Sequence, residues 1–276
     1  MTRLPAEFDR ARTALGRLLG PFAVIRELPS GAGGLSVLIE SRERQYVAKV
    51  FAADAPVLLG PAAQFALLGP VAAAGIAPFP VGFDTDARLL VTDFIADAAA
   101  VPVTELGNAG NIAAIAGLLR RLHALDLELP PFTPAAYAEL YLADIGGRSA
   151  LGAADRRRFD ELLELVAMPL PGPACPCHND LLVDNLLLGP APRLIDFDYA
   201  VIATPAVDLA SVVFMNGFDD AAGRRLLESY YGDRVPLTAA EFARVQQLVR
   251  LLAHFWALAQ PLAGTDSLAQ YRIDND

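Results

Sequence analysis

The chain has 276 residues, of which 54% are hydrophobic and 20% are charged. This composition favours a packed globular protein and excludes a disordered chain. The net charge of −10 argues against a nucleic-acid partner, because proteins that bind nucleic acids present a basic face. Cys175 and Cys177 are the two cysteines. A pair one residue apart does not staple a fold of this size, so we expect a reducing, cytoplasmic environment.

The first part of the chain predicts a helix and a small antiparallel sheet. Apolar residues at helical spacing predict a helix over 6–19. A second helix begins near Pro61, and strand-like runs occur at 22–28, 35–40, 45–51, 79–83 and 88–95. Residues 55–83 carry no charged side chain, but five prolines interrupt them, so we predict no membrane insertion.

Helical spacing dominates after residue 96, with predicted helices over 108–124, 134–143, 154–167, 219–231 and 238–260. Short β-like segments lie at 186–188 and 193–197. We therefore predict an α+β fold with a small antiparallel-sheet lobe (1–95), a larger helical lobe (96–276) and a ligand cleft between them. The excess negative charge lies wholly after residue 96. It would attract a cationic small molecule, although acidic surfaces also serve solubility alone.

The strongest chemical signal is a His-Asn-Asp segment that ends at Asp180. Asn185 follows five residues later, and Asp196 lies in a Leu-Ile-Asp-Phe-Asp segment. A hairpin would bring Asn185 and Asp196 side by side, where their oxygen atoms are the ligands that Mg²⁺ prefers. Asp180 would then orient and deprotonate an attacking hydroxyl group.

A second signal is the single lysine. The 22 basic residues are arginines except for Lys49, which lies in a Val-Ala-Lys-Val strand context where a lysine reaches nucleotide phosphates. A lysine on the surface is the alternative.

One strand earlier, a glycine-rich turn would cover phosphates with backbone N–H groups, unless it is a plain hairpin turn. Its candidate nucleotide-binding residues are Ser30, Gly31, Gly33, Gly34 and Ser36.

These motifs follow the protein-kinase order, H-x-D-x-x-x-x-N and then D-F-x. The segments CHNDLL, LIDFDYA and PAVDLA resemble the choline/ethanolamine kinase and aminoglycoside phosphotransferase superfamily, and most closely the choline/ethanolamine kinases. The resemblance implies a protein-kinase-like fold with ATP and Mg²⁺ as cofactors. It also implies that Asp93, Phe94 and Ile95 hold adenine, and that His178 and Asp208 support the catalytic loop.

Two residues are candidates for contact with the substrate. Asp198 would face a cationic group of the substrate or a second Mg²⁺. Trp256 lies in a His-Phe-Trp segment that resembles an element near the end of choline/ethanolamine kinases. An aromatic wall holds quaternary ammonium groups, although a buried helix stripe is the alternative for Trp256.

One departure from the family concerns the partner of Lys49. The family has a glutamate on the helix after the lysine strand, and Gln64 stands there in this chain. An amide hydrogen-bonds a lysine but does not balance its charge, so we expect Gln64 to have a supporting role. Asp54 is the nearest acid that could substitute for the missing glutamate.

The sequence therefore predicts a kinase that phosphorylates a hydroxyl group of a small, cationic alcohol. Choline or ethanolamine is the first candidate, and an aminoglycoside or thiamine is the alternative. A function of another class is a nucleotide-binding pseudokinase that regulates a partner. Retention of Asp180, Asn185 and Asp196 together favours the enzyme.

Overall fold

The structure is a computed structural model that describes residues 6–29, 34–53, 57–97, 99–260 and 271–273. The α-helices of the described residues are α1 (Ala6–Leu19), α2 (Pro61–Ala73), α3 (Val103–Leu106), α4 (Ala109–His123), α5 (Pro134–Ile145), α6 (Ala153–Val166), α7 (Pro205–Met215), α8 (Asp220–Tyr231) and α9 (Ala239–Ala259). The strands are β1 (Ala23–Leu28), β2 (Gly34–Ser41), β3 (Arg44–Phe51), β4 (Pro80–Asp84), β5 (Leu89–Asp93), β6 (Ala99–Ala100), β7 (Cys175–Cys177), β8 (Leu186–Leu188), β9 (Arg193–Leu194) and β10 (Val201–Ala203).

The first five strands form one antiparallel sheet in the order β1-β2-β3-β5-β4. Helix α1 packs Phe8, Ala11 and Leu15 against buried residues of this sheet, because its apolar residues recur at helical spacing. The register places Lys49 in β3 opposite Ser36 in β2. Lys49 therefore stands on a central strand beside the predicted nucleotide-binding turn.

The remaining chain is mostly helical, and α7 contacts α4, α8 and α9, while α4 also contacts α8. Two small sheets, β10-β7 and β6-β8-β9, hold the loops on which the motif residues lie. One apolar cluster extends from Leu67 and Leu68 of α2 to the helices α4, α7 and α8. This shared core fixes α2 relative to the loops of the second half.

The uncharged segment before β4 contains α2, and Pro70 lies inside this helix. None of the helices in the described part of the chain is long and apolar enough to cross a bilayer. We propose that the boundary between the two lobes lies at 95/96, directly after β5.

The predicted α+β class, with an antiparallel sheet before a helical part, is confirmed. Most predicted elements end within two residues of the observed bounds. The predicted strand 193–197 is wrong beyond Leu194, because Asp196 adopts a left-handed backbone with a φ of 66°. Helix α7 was not predicted, since residues 205–213 are all buried and no polar face marks its period.

Gly34 provides a test of the packing between β2 and β3. Its φ is 150°, and a Cβ atom would lie 2.2 Å from the Val50 carbonyl oxygen. We expect Gly34→Ala to lower the free energy of unfolding by about 1–3 kcal/mol, as measured by urea denaturation. Gly117→Ala in α4 is the matched control, because a Cβ atom there meets nothing within 4 Å. It should stabilise the protein by about 0.5–1 kcal/mol, and shifts of the same sign in both variants would contradict this account.

Candidate active site

Lys49 lies at the centre of a cluster of charged side chains. Its Nζ atom is 2.6 Å from Oδ1 of Asp196 and 2.7 Å from both carboxylate oxygens of Asp198. Burial lowers the pKa of Lys49, but Asp196 and Asp198 outweigh burial and raise that pKa above its usual value. Lys49 is therefore a buried cation and not a surface lysine.

Gln64 contacts this cluster through Asp198 and not through Lys49. Its Nε2 atom donates to Oδ1 of Asp198 and, at 2.9 Å, to the Leu59 carbonyl oxygen. Asp54, the alternative partner considered for Lys49, lies outside the described residues. The carboxylate of Asp198 is 4% exposed, and it contacts Lys49, Gln64 and the carboxyl group of Asp196. Substrate binding by Asp198 stays a prediction.

Asp180 and Asn185 are joined by hydrogen bonds. The Asn185 Nδ2 atom donates to the Asp180 carbonyl oxygen at 2.8 Å and to its Oδ2 atom at 3.0 Å. Burial and the negative charges of Asp196 and Asp198 raise the pKa of Asp180 to about 7. The cluster thus carries more negative charge than Lys49 neutralises.

The short hairpin β8-β9 places Asp196 beside the Asn185 backbone. The Ile195 N–H group donates to the Asn185 carbonyl oxygen at 3.1 Å, and His178 Nε2 lies 2.9 Å from the Ile195 carbonyl oxygen. Burial raises the pKa of Asp196, but Lys49 outweighs burial and lowers that pKa. The expected proximity of the two segments is therefore present.

Asp208 supports the loop that carries Asp180. Its fully buried carboxylate accepts from the backbone N–H groups of His178 at 2.9 Å and Asn179 at 2.8 Å. This support holds Asn179 in a left-handed conformation with a φ of 63°, a conformation that asparagine tolerates better than most residues. The His178 ring packs on Phe197, with 4.5 Å between the ring centroids.

His123 is a supporting residue that the sequence analysis did not identify. Its Nε2 atom is 3.0 Å from Oδ2 of Asp208, and its Nδ1 atom is 2.7 Å from the Tyr230 hydroxyl. The thiols of Cys175 and Cys177 lie close to the same ring, 3.8 Å from each other. His123 and Tyr230 therefore extend the hydrogen-bond network beneath the loop that carries Asp180.

The structure describes two of the five nucleotide-binding residues that were predicted in the glycine-rich turn. Ser30, Gly31 and Gly33 lie outside the described residues, whereas Gly34 and Ser36 are part of β2 beside Lys49.

In the predicted adenine segment, backbone bonds already use two N–H groups. The N–H group of Asp93 donates to Phe79, and that of Phe94 donates to Gln45. Adenine binding by this segment stays a prediction, and it would use backbone carbonyl groups or the N–H group of Ile95.

Aromatic side chains lie beside Asp180. Burial raises the pKa of the Tyr199 hydroxyl, and Asp180, Tyr141 and Asp198 raise it further, whereas Trp256 opposes the shift. Trp256 itself packs edge-on against Tyr271, with 5.7 Å between the ring centroids. Tyr199 was missed, although it directly follows the Asp-Phe-Asp segment in the sequence.

Residues 24–248 match the phosphotransferase enzyme family, APH. This chain belongs to that family. The match confirms the predicted superfamily and identifies the chain as a small-molecule kinase. It extends from β1 into the first half of α9, and it therefore includes the motif residues described above except Trp256.

Solved structures with the same fold include kinases of two substrate classes. Choline kinase LicA from Streptococcus pneumoniae superposes with a TM-score of 0.79 at 20% identity, covering 97% of this chain and 96% of that chain. A choline/ethanolamine kinase family protein from Mesorhizobium loti gives a TM-score of 0.74 at 20% identity, covering 96% and 92%. The gentamicin complex of APH(2'')-IIa gives 0.65 at 16% identity, covering 94% and 90%. No curated protein sequence matches this chain significantly.

The support beneath the loop that carries Asp180 can be tested through Asp208. An Asp208→Asn variant turns an N–H₂ group toward N–H donors, so we expect the free energy of unfolding to fall by about 2–4 kcal/mol. Urea denaturation measures the change. Asp219→Asn is the matched control, because Asp219 caps α8 through the Ala222 N–H group and asparagine caps helices equally well. Equal stability of the two variants would contradict the supporting role.

Proposed function

We propose that this chain transfers the γ-phosphoryl group of ATP, with Mg²⁺, to a hydroxyl group of a small cationic alcohol. The observation that carries this proposal is the meeting of Lys49, Asp180, Asn185 and Asp196 in one cluster. Such a cluster suits phosphoryl transfer, in which the protein mainly positions the reactants and neutralises charge.

The donor atoms of the cluster fit Mg²⁺. Asp196 offers carboxylate oxygens and Asn185 offers its amide oxygen, since its amide nitrogen is used by Asp180. Carboxylate and amide oxygens are hard ligands of the kind that Mg²⁺ takes. When bound there, Mg²⁺ would neutralise charge on the phosphates. Lys49, which pairs with Asp196, would contact a phosphate bound at the same place.

Asp180 is the proposed catalytic base. Its carboxylate would accept the proton of the substrate hydroxyl while the hydroxyl oxygen forms the new bond to phosphorus, and ADP would leave with the electrons of the broken bond. The Asn185 amide holds this carboxylate in place from one side. Burial and the neighbouring negative charges raise the pKa of Asp180 and so make it a stronger base than an isolated aspartate.

Choline or ethanolamine is the substrate that we favour. Tyr199 interacts with Asp180 and with Trp256, and aromatic faces attract quaternary ammonium groups. The solved structures with the two highest TM-scores quoted above are a choline kinase and a choline/ethanolamine kinase family protein. An aminoglycoside is the second candidate, supported by the similarity to the gentamicin complex.

Asp180→Asn tests the proposed catalytic role. The variant keeps the size of the side chain but removes the proton acceptor, so we expect turnover to fall by about 100-fold or more. Affinity for MgATP should remain. ADP release in the presence of choline, ethanolamine, aminoglycosides and thiamine measures turnover, and calorimetry measures affinity.

Asp219→Asn serves again as the control, since the residue caps a helix on the exposed surface. Full activity of the Asp180 variant would overturn the proposal. MgATP binding without turnover of any of these substrates in the wild-type protein would favour the pseudokinase.

Trp256 tests the substrate class. If the indole faces a cationic headgroup, Trp256→Leu should raise the KM for choline by about tenfold, whereas Trp256→Phe should raise it less. The KM for ATP should change little in both variants. A KM for choline that is the same in the leucine variant and the wild type would remove Trp256 from the substrate site.

A further inference from the structure

We propose that Asp198, held by the Gln64 amide, is the residue that positions Lys49 for the nucleotide in place of a helix glutamate. Both residues are positioning residues in this account, because they act through Lys49. The inference rests on the proposed function, since it assigns Lys49 to ATP. It explains why glutamine stands at position 64, where the resembling family has a glutamate.

The first support is the geometry at Lys49. Both carboxylate oxygens of Asp198 lie 2.7 Å from the Lys49 Nζ atom, and the Phe51 ring lies 4.7 Å from that atom. The exposed fractions are 14% for the Lys49 side chain and 4% for that of Asp198. Water screens the attraction between two charges only weakly when both are removed from solvent in this way. Asp198 is therefore a buried hydrogen-bond and ion-pair partner of Lys49.

The second support is the chemistry at Gln64, which is 2% exposed. Its Nε2 atom faces two acceptors, the Asp198 carboxylate and the Leu59 carbonyl oxygen. Both N–H bonds of the amide are thus used, and they point at groups that accept hydrogen bonds. A glutamate in the same place would turn acceptor oxygens toward both partners. The amide is therefore the side chain that this site requires.

The third support comes from the backbone before α2. The N–H groups of Leu58 and Leu59 both donate to the Asp198 carbonyl oxygen at 3.0 Å. Asp198 thereby binds the segment just before α2 through its main chain and Gln64 within α2 through its side chain. One residue from the second half of the chain consequently ties Lys49 to this helix, as a glutamate on the helix would do directly.

Because of charge repulsion, this site suits a carboxylate at position 198 or at position 64, but not at both. The segment 57–83 contains no acidic residue, and Asp196 and Asp198 already face Lys49. A glutamate at position 64 would add a third carboxylate around one ammonium group, and like charges at this distance repel. The chain has a neutral amide at position 64 and a carboxylate at position 198. Exchanging these two groups would leave the number of negative charges around Lys49 unchanged.

The exchange of these two groups gives a sharp test. We would measure MgATP affinity by calorimetry, and the melting temperature of the ligand-free protein, for Gln64→Glu and for the double variant Gln64→Glu with Asp198→Asn. Gln64→Met removes the amide donors without adding charge, so it covers the case in which Gln64→Glu fails to fold. Gln45→Glu is the matched control, because Gln45 is an exposed residue of the same strand as Lys49.

We expect Gln64→Glu to weaken MgATP affinity by about tenfold or more and to lower the melting temperature. Gln64→Met should lower both values less, and Gln45→Glu should change neither. The double variant should recover most of the lost affinity and stability. Asp198 as a ligand of Mg²⁺ would give no such recovery, because an amide replaces its carboxylate.

Two results would overturn the inference. One is a Gln64→Glu variant that binds MgATP as tightly as the wild type or more tightly, as expected if Gln64 merely replaces a glutamate partner of Lys49. The other is a double variant no better than Gln64→Glu alone. If the wild-type protein bound no MgATP, the proposed function would fail. The melting temperatures of the ligand-free variants would still decide whether Gln64 and Asp198 form the pair.

Discussion

A single ammonium group among several carboxylates governs the arrangement of this molecule. Lys49 comes from the central strand of the sheet, whereas Asp196 and Asp198 come from the loop after β9 and Asp180 comes from the loop after β7. These carboxylates repel one another, and Lys49 offsets that repulsion only in part. The cluster would therefore be more stable with a bound divalent cation, and this imbalance connects the fold to its proposed chemistry.

The loops that bear these carboxylates need rigid support. Asn179 and Asp196 both adopt left-handed backbone conformations, which cost energy in residues other than glycine. Asp208 compensates at Asn179 by accepting two backbone N–H bonds, and His123 and Tyr230 continue the network behind it. Strain at the reacting loop is thus balanced by a buried polar network that does not itself touch the reacting groups.

Motif spacing was sufficient to predict the grouping of Asp180, Asn185 and Asp196, because a short hairpin leaves few ways to place residues on either side of it. Contacts between distant segments were not predictable in this way. Asp198 follows Lys49 by 149 residues, and His123 precedes Asp208 by 85 residues. Local periodicity carries no information about which segment supplies a partner across such distances.

Gln64 replaces the glutamate of the family pattern, yet Lys49 still has a carboxylate partner in Asp198. Considered alone, an amide in place of the glutamate suggests that Lys49 lacks a counterion and that activity is lost. The requirement at this site is one carboxylate for Lys49 and one donor for that carboxylate, and Asp198 and Gln64 meet both needs together. Charge and hydrogen bonding therefore have to be counted over the whole cluster, since the same balance can be reached with the acid on either side of Lys49.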